Sequence, residues 1–153
     1  VPGVDWAIYN GPFPWIPQTY GLKADSKGHA ETPGLSDLPA TGIPAGTKNL
    51  PGTVSVFTGY ISVPADGEYS FYLACDTKAF LRIHDIQVID ADYGYPGGLP
   101  RTGNIVLKKG LHPFRLSYHR DQDQGEPFLK LDWSGPGIRR QQMGKGTFFR
   151  LSN

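Results

Sequence analysis

Thr53-Val54-Ser55-Val56-Phe57-Thr58-Gly59-Tyr60-Ile61-Ser62-Val63, then Pro64-Ala65-Asp66-Gly67, then Glu68-Tyr69-Ser70-Phe71-Tyr72-Leu73-Ala74-Cys75 is the stretch that decides the fold. Val54, Val56 and Thr58 alternate with Ser55, Phe57 and Gly59. In the second run Tyr69, Phe71, Leu73 and Cys75 alternate with Glu68, Ser70 and Tyr72. A period of two is that of a pleated strand, whose successive side chains point to opposite faces. Between the runs, Pro presets one φ and Gly accepts a positive one, which makes a turn. The pattern predicts a β-hairpin with Tyr69, Phe71, Leu73 and Cys75 on its buried face.

Further strands follow from this one. Ala79–Ile83 and Gln87–Ile89 read as a pair about a turn at His84-Asp85. Asn104–Lys108 ends at a Lys109-Gly110 turn, and Leu111–His119 follows with Phe114, Leu116 and Tyr118 on one face. Leu129, Leu131 and Trp133 alternate with Lys130 and Asp132, which makes Trp133 a core residue; Gly135-Pro136-Gly137 breaks that strand and Thr147–Leu151 closes the set. Residues 1–52 behave differently. Trp6, Tyr9, Phe13, Trp15 and Tyr20 are interleaved with Gly and Pro without a sustained period, so this part reads as a loop-rich arm with one strand at Val4–Tyr9 and a helical turn near Ser36–Leu38. With no internal repeat and no linker, residues 1–153 read as one all-β domain: an antiparallel β-sandwich or barrel with a loop-rich N-terminal arm over 1–52 and a strand-rich core over 53–153.

Composition agrees and narrows the function. The 153 residues include 20 Gly and 14 Pro, too many for long helices, yet 39% are hydrophobic and 12% aromatic, too many for a disordered chain. Lys and Arg number 15 against 14 Asp and Glu, a net charge of +1 with no long basic run, which argues against nucleic acid as a partner. No segment has the apolar length that crosses a bilayer. Cys75 stands alone, so an internal disulfide and a cysteine zinc site are both excluded. The chain starts at Val1 with no signal peptide, and it reads as a domain cut from a longer chain. The four histidines are scattered, and neither a zinc-protease helix nor a nucleophile elbow occurs, so the chain reads as non-catalytic.

The order of segments resembles the β-sandwich domain first defined in anthrax protective antigen and its fourteen-kilodalton fragment. The resemblance is carried by Phe57–Ile61 leading into Pro64–Phe71, by Asp76, by Leu81–Asp85 with Val88–Asp90, by Leu107–Leu116 and by Leu131–Gly137. It spans about Trp6 to Leu151. Such domains occur in bacterial glycosidases, sulfatases, proteases and toxins and in fungal adhesins, where they commonly bind carbohydrate. The wording of Ala79–Asp85 and Gln87–Asp92 is similar to accessory domains of bacterial sulfatases. What the resemblance implies is a secreted, periplasmic or cell-surface location, a glycan partner, and a neighbouring catalytic domain in the same chain. The alternative it leaves is a structural domain that packs on that neighbour and has no ligand of its own.

Sugar-binding members of this family hold a calcium ion with two adjacent aspartates. The corresponding stretch is Cys75-Asp76-Thr77-Lys78, where Asp76 matches the first aspartate, Thr77 replaces the second and Lys78 replaces the usual glycine. Asp76 is therefore the one metal-ligand candidate, and calcium the one cofactor implied. Calcium prefers a shell of oxygens that includes carboxylates. A second constellation is Asp90, Asp92, Tyr93 and Tyr95, in which carboxylates fork onto sugar diols while tyrosine rings stack on a pyranose. The loop composition of Tyr93–Gly98 suits a ligand contact, and turn-closing and packing roles explain the same residues equally well. Arg139, beside Arg140, suits a sulfated or uronic-acid glycan, since a guanidinium fork matches such anions. The polar run Arg120–Glu126 reads as a solvated connection.

Overall fold

A computed structural model of the chain describes residues 1–9, 26–33, 53–75, 78–84, 86–91, 100–120, 129–144 and 146–151. Asp76, Thr77, Asp92, Tyr93, Tyr95, Trp15, the turn at 36–38 and the connection at 121–126 lie outside them. Eleven strands run through the described residues, and none of these residues is helical: β1 Val4–Tyr9, β2 Ser26–Ala30, β3 Thr53–Val63, β4 Gly67–Cys75, β5 Lys78–Ile83, β6 Ile86–Ala91, β7 Arg101–Leu107, β8 Gly110–Arg120, β9 Leu129–Gly135, β10 Ile138–Gln142 and β11 Phe148–Phe149. They form two antiparallel sheets. The large sheet has the order β2-β1-β3-β8-β5-β6, with β11 also paired to β3; the small sheet has the order β10-β9-β4-β7.

The alternation in β4 translates directly into burial: Tyr69, Phe71, Leu73 and Cys75 are fully buried and face the large sheet. From the other side Phe57, Ile61, Leu81, Leu116 and Phe148 meet them in one continuous core. Trp133, paired with Phe71 in register, stacks on Tyr69 with ring centroids 5.5 Å apart. Each such side chain contributes roughly 1.5–3 kcal/mol by leaving water.

The expected hairpin between the first two quoted strands does not form. β3 pairs with β1, β8 and β11, whereas β4 pairs with β7 and β9 in the other sheet. Pro64–Asp66 therefore carries the chain from one sheet to the other. Tyr69 holds this corner: its hydroxyl donates to the Ala65 carbonyl at 2.6 Å and accepts from the Ala65 N–H at 3.3 Å. A tyrosine hydroxyl bonding back to the chain a few residues upstream is a known way to fix a sandwich corner. A later crossing, at Lys108-Lys109 between β7 and β8, is tied to this one, because Asp66 Oδ1 accepts the Lys109 N–H at 2.7 Å. Alternation gives the faces of a strand and says nothing of its partner, which is why the sequence pattern suited a hairpin.

Three further differences have local causes. The N-terminal arm supplies sheet rather than only a covering, since β1 lies between β2 and β3. β2, Ser-Lys-Gly-His-Ala, has no hydrophobic alternation because the Trp6 indole lies over Gly28, where any Cβ would collide with it. Gly135–Gly137 ends β9, as its composition predicts, and the chain beyond it forms an edge strand, β10, that no alternation marks. At the far side, β6 of the large sheet approaches β7 of the small one. Gly103 allows it, because a Cβ there would strike the Val88 carbonyl.

Replacing Tyr69 with Phe keeps the ring and removes both hydroxyl bonds at a part-buried corner. A loss of about 1–3 kcal/mol is expected, with the denaturant m-value unchanged. Equilibrium urea unfolding measures it, and a stability equal to that of the parent would show that the corner does not depend on this hydroxyl.

Candidate functional site

One end of the sandwich gathers the segments that the sequence singles out. β4 ends at Cys75 opposite Leu129, and Leu73 faces Arg101, the first residue of β7. β5 begins at Lys78 opposite His119, and Ala79 faces Ala91, the last residue of β6. The strand ends that bracket 76–77, 92–99 and 121–128 therefore lie together, although they are far apart in sequence. Asp90 stands at the base of the second segment, half-buried, with Oδ2 accepting from Gln87 Nε2 at 3.3 Å. Its carbonyl accepts from the Arg101 guanidinium at 2.8 Å, across the β6–β7 seam. That bond ties the end of β6 to the start of β7. Arg139 does not join Asp90. It is exposed on β10, the edge strand of the other sheet.

Calcium fits the 76–78 stretch poorly. Asp76 brings one carboxylate and Thr77 a neutral hydroxyl, while Lys78 brings a competing cation; a hard divalent ion calls for several charged oxygens. Among the described residues no group of three or more His, Cys, Asp or Glu stands ready to hold a metal ion.

Each sheet also carries a polar outer face that sequence reasoning did not single out. On the small sheet Tyr72, Asp132 and Arg140 form one cluster. The Arg140 guanidinium lies 4.0 Å over the Tyr72 ring and 3.6 Å from Asp132 Oδ2, which also faces Lys130 at 3.8 Å. Tyr72 hydrogen-bonds Ser134 at 3.1 Å. The ring face that would stack on a sugar is thus already taken by a cation.

The large sheet differs. The register sets Asp5 beside Thr58, and Thr58 beside Arg115, on the face away from the core. Two clefts flank this row. One, of ≈ 340 Å³, is lined by Tyr60, His84, Pro113 and Leu151; the other, of ≈ 440 Å³, by Tyr9, Lys27, Gly28 and His29; both share Asp5, Thr58 and Arg115. Asp5 Oδ1 is 2.6 Å from His29 Nδ1. These residues come from four strands and alternate with core positions, so only strand register reveals them. Trp6, undecided from sequence, is a core residue at 7% exposure, as Trp133 is at 4%.

The chain belongs to the PA14 domain family, whose model matches residues 1–146. Solved structures of the same fold include an anti-sigma factor domain-containing protein from Clostridium clariflavum, 22% identical with a TM-score of 0.75, in which 99% of this chain covers 48% of that one. The PA14 sugar-binding domain from an RTX adhesin is 17% identical with a TM-score of 0.75, over 98% of this chain and 99% of that domain. A β-glucosidase from Kluyveromyces marxianus in complex with glucose is 18% identical with a TM-score of 0.62, over 85% of this chain and 15% of the enzyme. The chain spans about half the length of the first two structures it resembles, 48% in each. No curated protein sequence matches it.

Arg101→Met keeps the aliphatic stem and removes the bond to the Asp90 carbonyl. Amide hydrogen exchange at Asp90 and Ala91 is expected to quicken by roughly tenfold, reporting local opening of about 1.4 kcal/mol. Unchanged exchange there would mean that the guanidinium does not anchor the end of β6.

Proposed function

We propose that the chain is a non-catalytic carbohydrate-binding module that serves a larger secreted polysaccharide-active bacterial enzyme, of the sulfatase kind that Ala79–Asp92 resembles. The observation that carries this reading is the gathering of the strand ends around 76–77 and 92–99 at one end of a PA14 sandwich. Loops held on a rigid scaffold are where ligands are commonly met. Support also comes from the likeness to a domain named as sugar-binding and to a part of a β-glucosidase. Such a module raises the local concentration of polysaccharide at a neighbouring active site without tight intrinsic affinity.

Within that end, Asp90 and Asp92 are assigned to sugar hydroxyls and Tyr93 and Tyr95 to stacking on a pyranose. Asp76 adds an acceptor at the neighbouring segment. Recognition proceeds without calcium, because Thr77 and Lys78 stand where the ion's second carboxylate and its glycine would be. Arg139, on the other sheet, belongs to the module's general surface rather than to this site.

A glycan array probed in calcium and again in chelator is expected to give the same polysaccharide signals. Loss of every signal in chelator would return the ion to Asp76. On an immobilised ligand from that array, the Tyr93→Ala/Tyr95→Ala double variant is expected to lose retention while its melting temperature stays unchanged. Full retention would remove the loop from the site. Silence on every polysaccharide would favour the other reading, a domain that packs on and stabilises its neighbour.

A further inference from the structure

We infer that His84 and His112 form a two-nitrogen site for a divalent transition-metal ion, copper(II) foremost. β5 starts at Lys78, next to 76–77, and runs to Ile83, so His84 stands at the end of the sandwich away from the segments assigned to sugar. The site is independent of the carbohydrate-binding reading.

Register brings the two rings together. Ile83 pairs with Phe114, and the His84 N–H donates to the Pro113 carbonyl at 2.8 Å, which sets His84 against the start of β8. His84 Nε2 lies 2.8 Å from His112 Nδ1, with the ring planes at 81°. On its other side, His112 Nε2 lies 2.6 Å from the Lys108 carbonyl oxygen. A carbonyl oxygen only accepts, so His112 Nε2 carries a proton, and in the neutral ring Nδ1 then offers its lone pair. Metal-bound histidines are held in this way, with the outer N–H on a carbonyl fixing both tautomer and ring direction. Among the described residues His84 is also the one non-glycine residue with a positive φ, 55°. A backbone held in that region persists where the surrounding structure fixes it, and such residues gather at ligand clamps.

Donor type and spacing define the ion. Imidazole nitrogen suits copper, nickel and zinc, whereas calcium takes oxygen. Two metal–nitrogen bonds of about 2.0–2.1 Å place their nitrogens about 2.9 Å apart at a right angle and about 3.3 Å apart at the tetrahedral angle. The 2.8 Å spacing therefore fits the tetragonal ions, copper(II) and nickel(II), better than tetrahedral zinc, and copper(II) binds the more tightly of the two. On binding, each ring tilts to bring its lone pair onto the ion. The His84 Nε2 proton moves to Nδ1 of the same ring, which stays neutral. His84 is exposed and His112 half-buried, and among the described residues no third His, Cys, Asp or Glu joins them, so water fills the remaining positions. The exposed Lys108 and Lys109, in the crossing beside the pair, disfavour an ion held by charge alone. The contact between His29 and Asp5 offers one ring nitrogen and one carboxylate instead of two nitrogens.

Titration of the full, untagged chain with copper(II), followed by calorimetry and by electron paramagnetic resonance, tests this. One copper ion per chain is expected, with the hyperfine pattern of two nitrogen ligands, and excess calcium leaves it bound. His84→Asn keeps a residue that tolerates the left-handed backbone, and His112→Gln keeps a polar side chain. Each is expected to weaken copper binding by roughly a hundredfold, because one of two linked donors is lost, while His29→Gln leaves it unchanged. Equal affinity in the parent and either variant, a single-nitrogen pattern, or loss of copper on His29→Gln would overturn the site. So would displacement by calcium, or a parent that binds no copper. Matching melting temperatures show that the variants are folded, since both histidines lie outside the core. The nitrogen pattern of the parent tests the pair without any variant. None of these outcomes bears on carbohydrate binding, which the glycan array tests separately.

Discussion

Tyr69 joins the two things a sandwich needs, a filled space between its sheets and a chain that changes sheet at the right residue. Its ring is fully buried against Trp133, and its hydroxyl closes the Ala65 corner. Were the corner to relax into an ordinary hairpin, β4 would compete with β8 or β1 for the edges of β3, and the two inner faces would no longer oppose each other. The Asp66–Lys109 bond extends the constraint to a later crossing. Two of the chain's crossings between the sheets are thus tied together, and the strands that follow them inherit that placement.

The inheritance matters because the outer faces carry the chemistry. Asp5, Thr58, Arg82 and Arg115 lie far apart in sequence and become neighbours only through the pairing of β1, β3, β8 and β5. On the small sheet the Arg140 guanidinium lies over the Tyr72 ring and beside Asp132 Oδ2. At the end of the sandwich the β6–β7 seam is made close by Gly103 and pinned by Arg101 on the Asp90 carbonyl.

Much of this was legible in the residues. Period-two alternation located β3, β4, β8 and β9, assigned the inward faces of β4 and β9 correctly, and put Trp133 in the core. Val4–Tyr9 was found as a strand even inside a Gly- and Pro-rich arm. Pairing was not legible, because a strand's alternation is the same whether its neighbour in sequence lies beside it or across the core. β2 escaped because Gly28 yields its side-chain space to Trp6, which erases the alternation that marks a strand. For the site, composition picked out Asp90 and its following loop. The Asp5–Thr58–Arg115 row could not be read in the same way, because its members alternate with core residues and share no local motif, and Arg139 lies on the other sheet from Asp90.

An amide-resolved NMR titration of the chain with the tightest oligosaccharide from a glycan array tests the central claim most directly, because it reports where a sugar meets this sandwich. Shifts are expected to concentrate at the strand ends next to 76–77 and 92–99, with Lys130–Ser134 still. Shifts centred on the Tyr72–Asp132–Arg140 face, or none at saturating sugar, would contradict it.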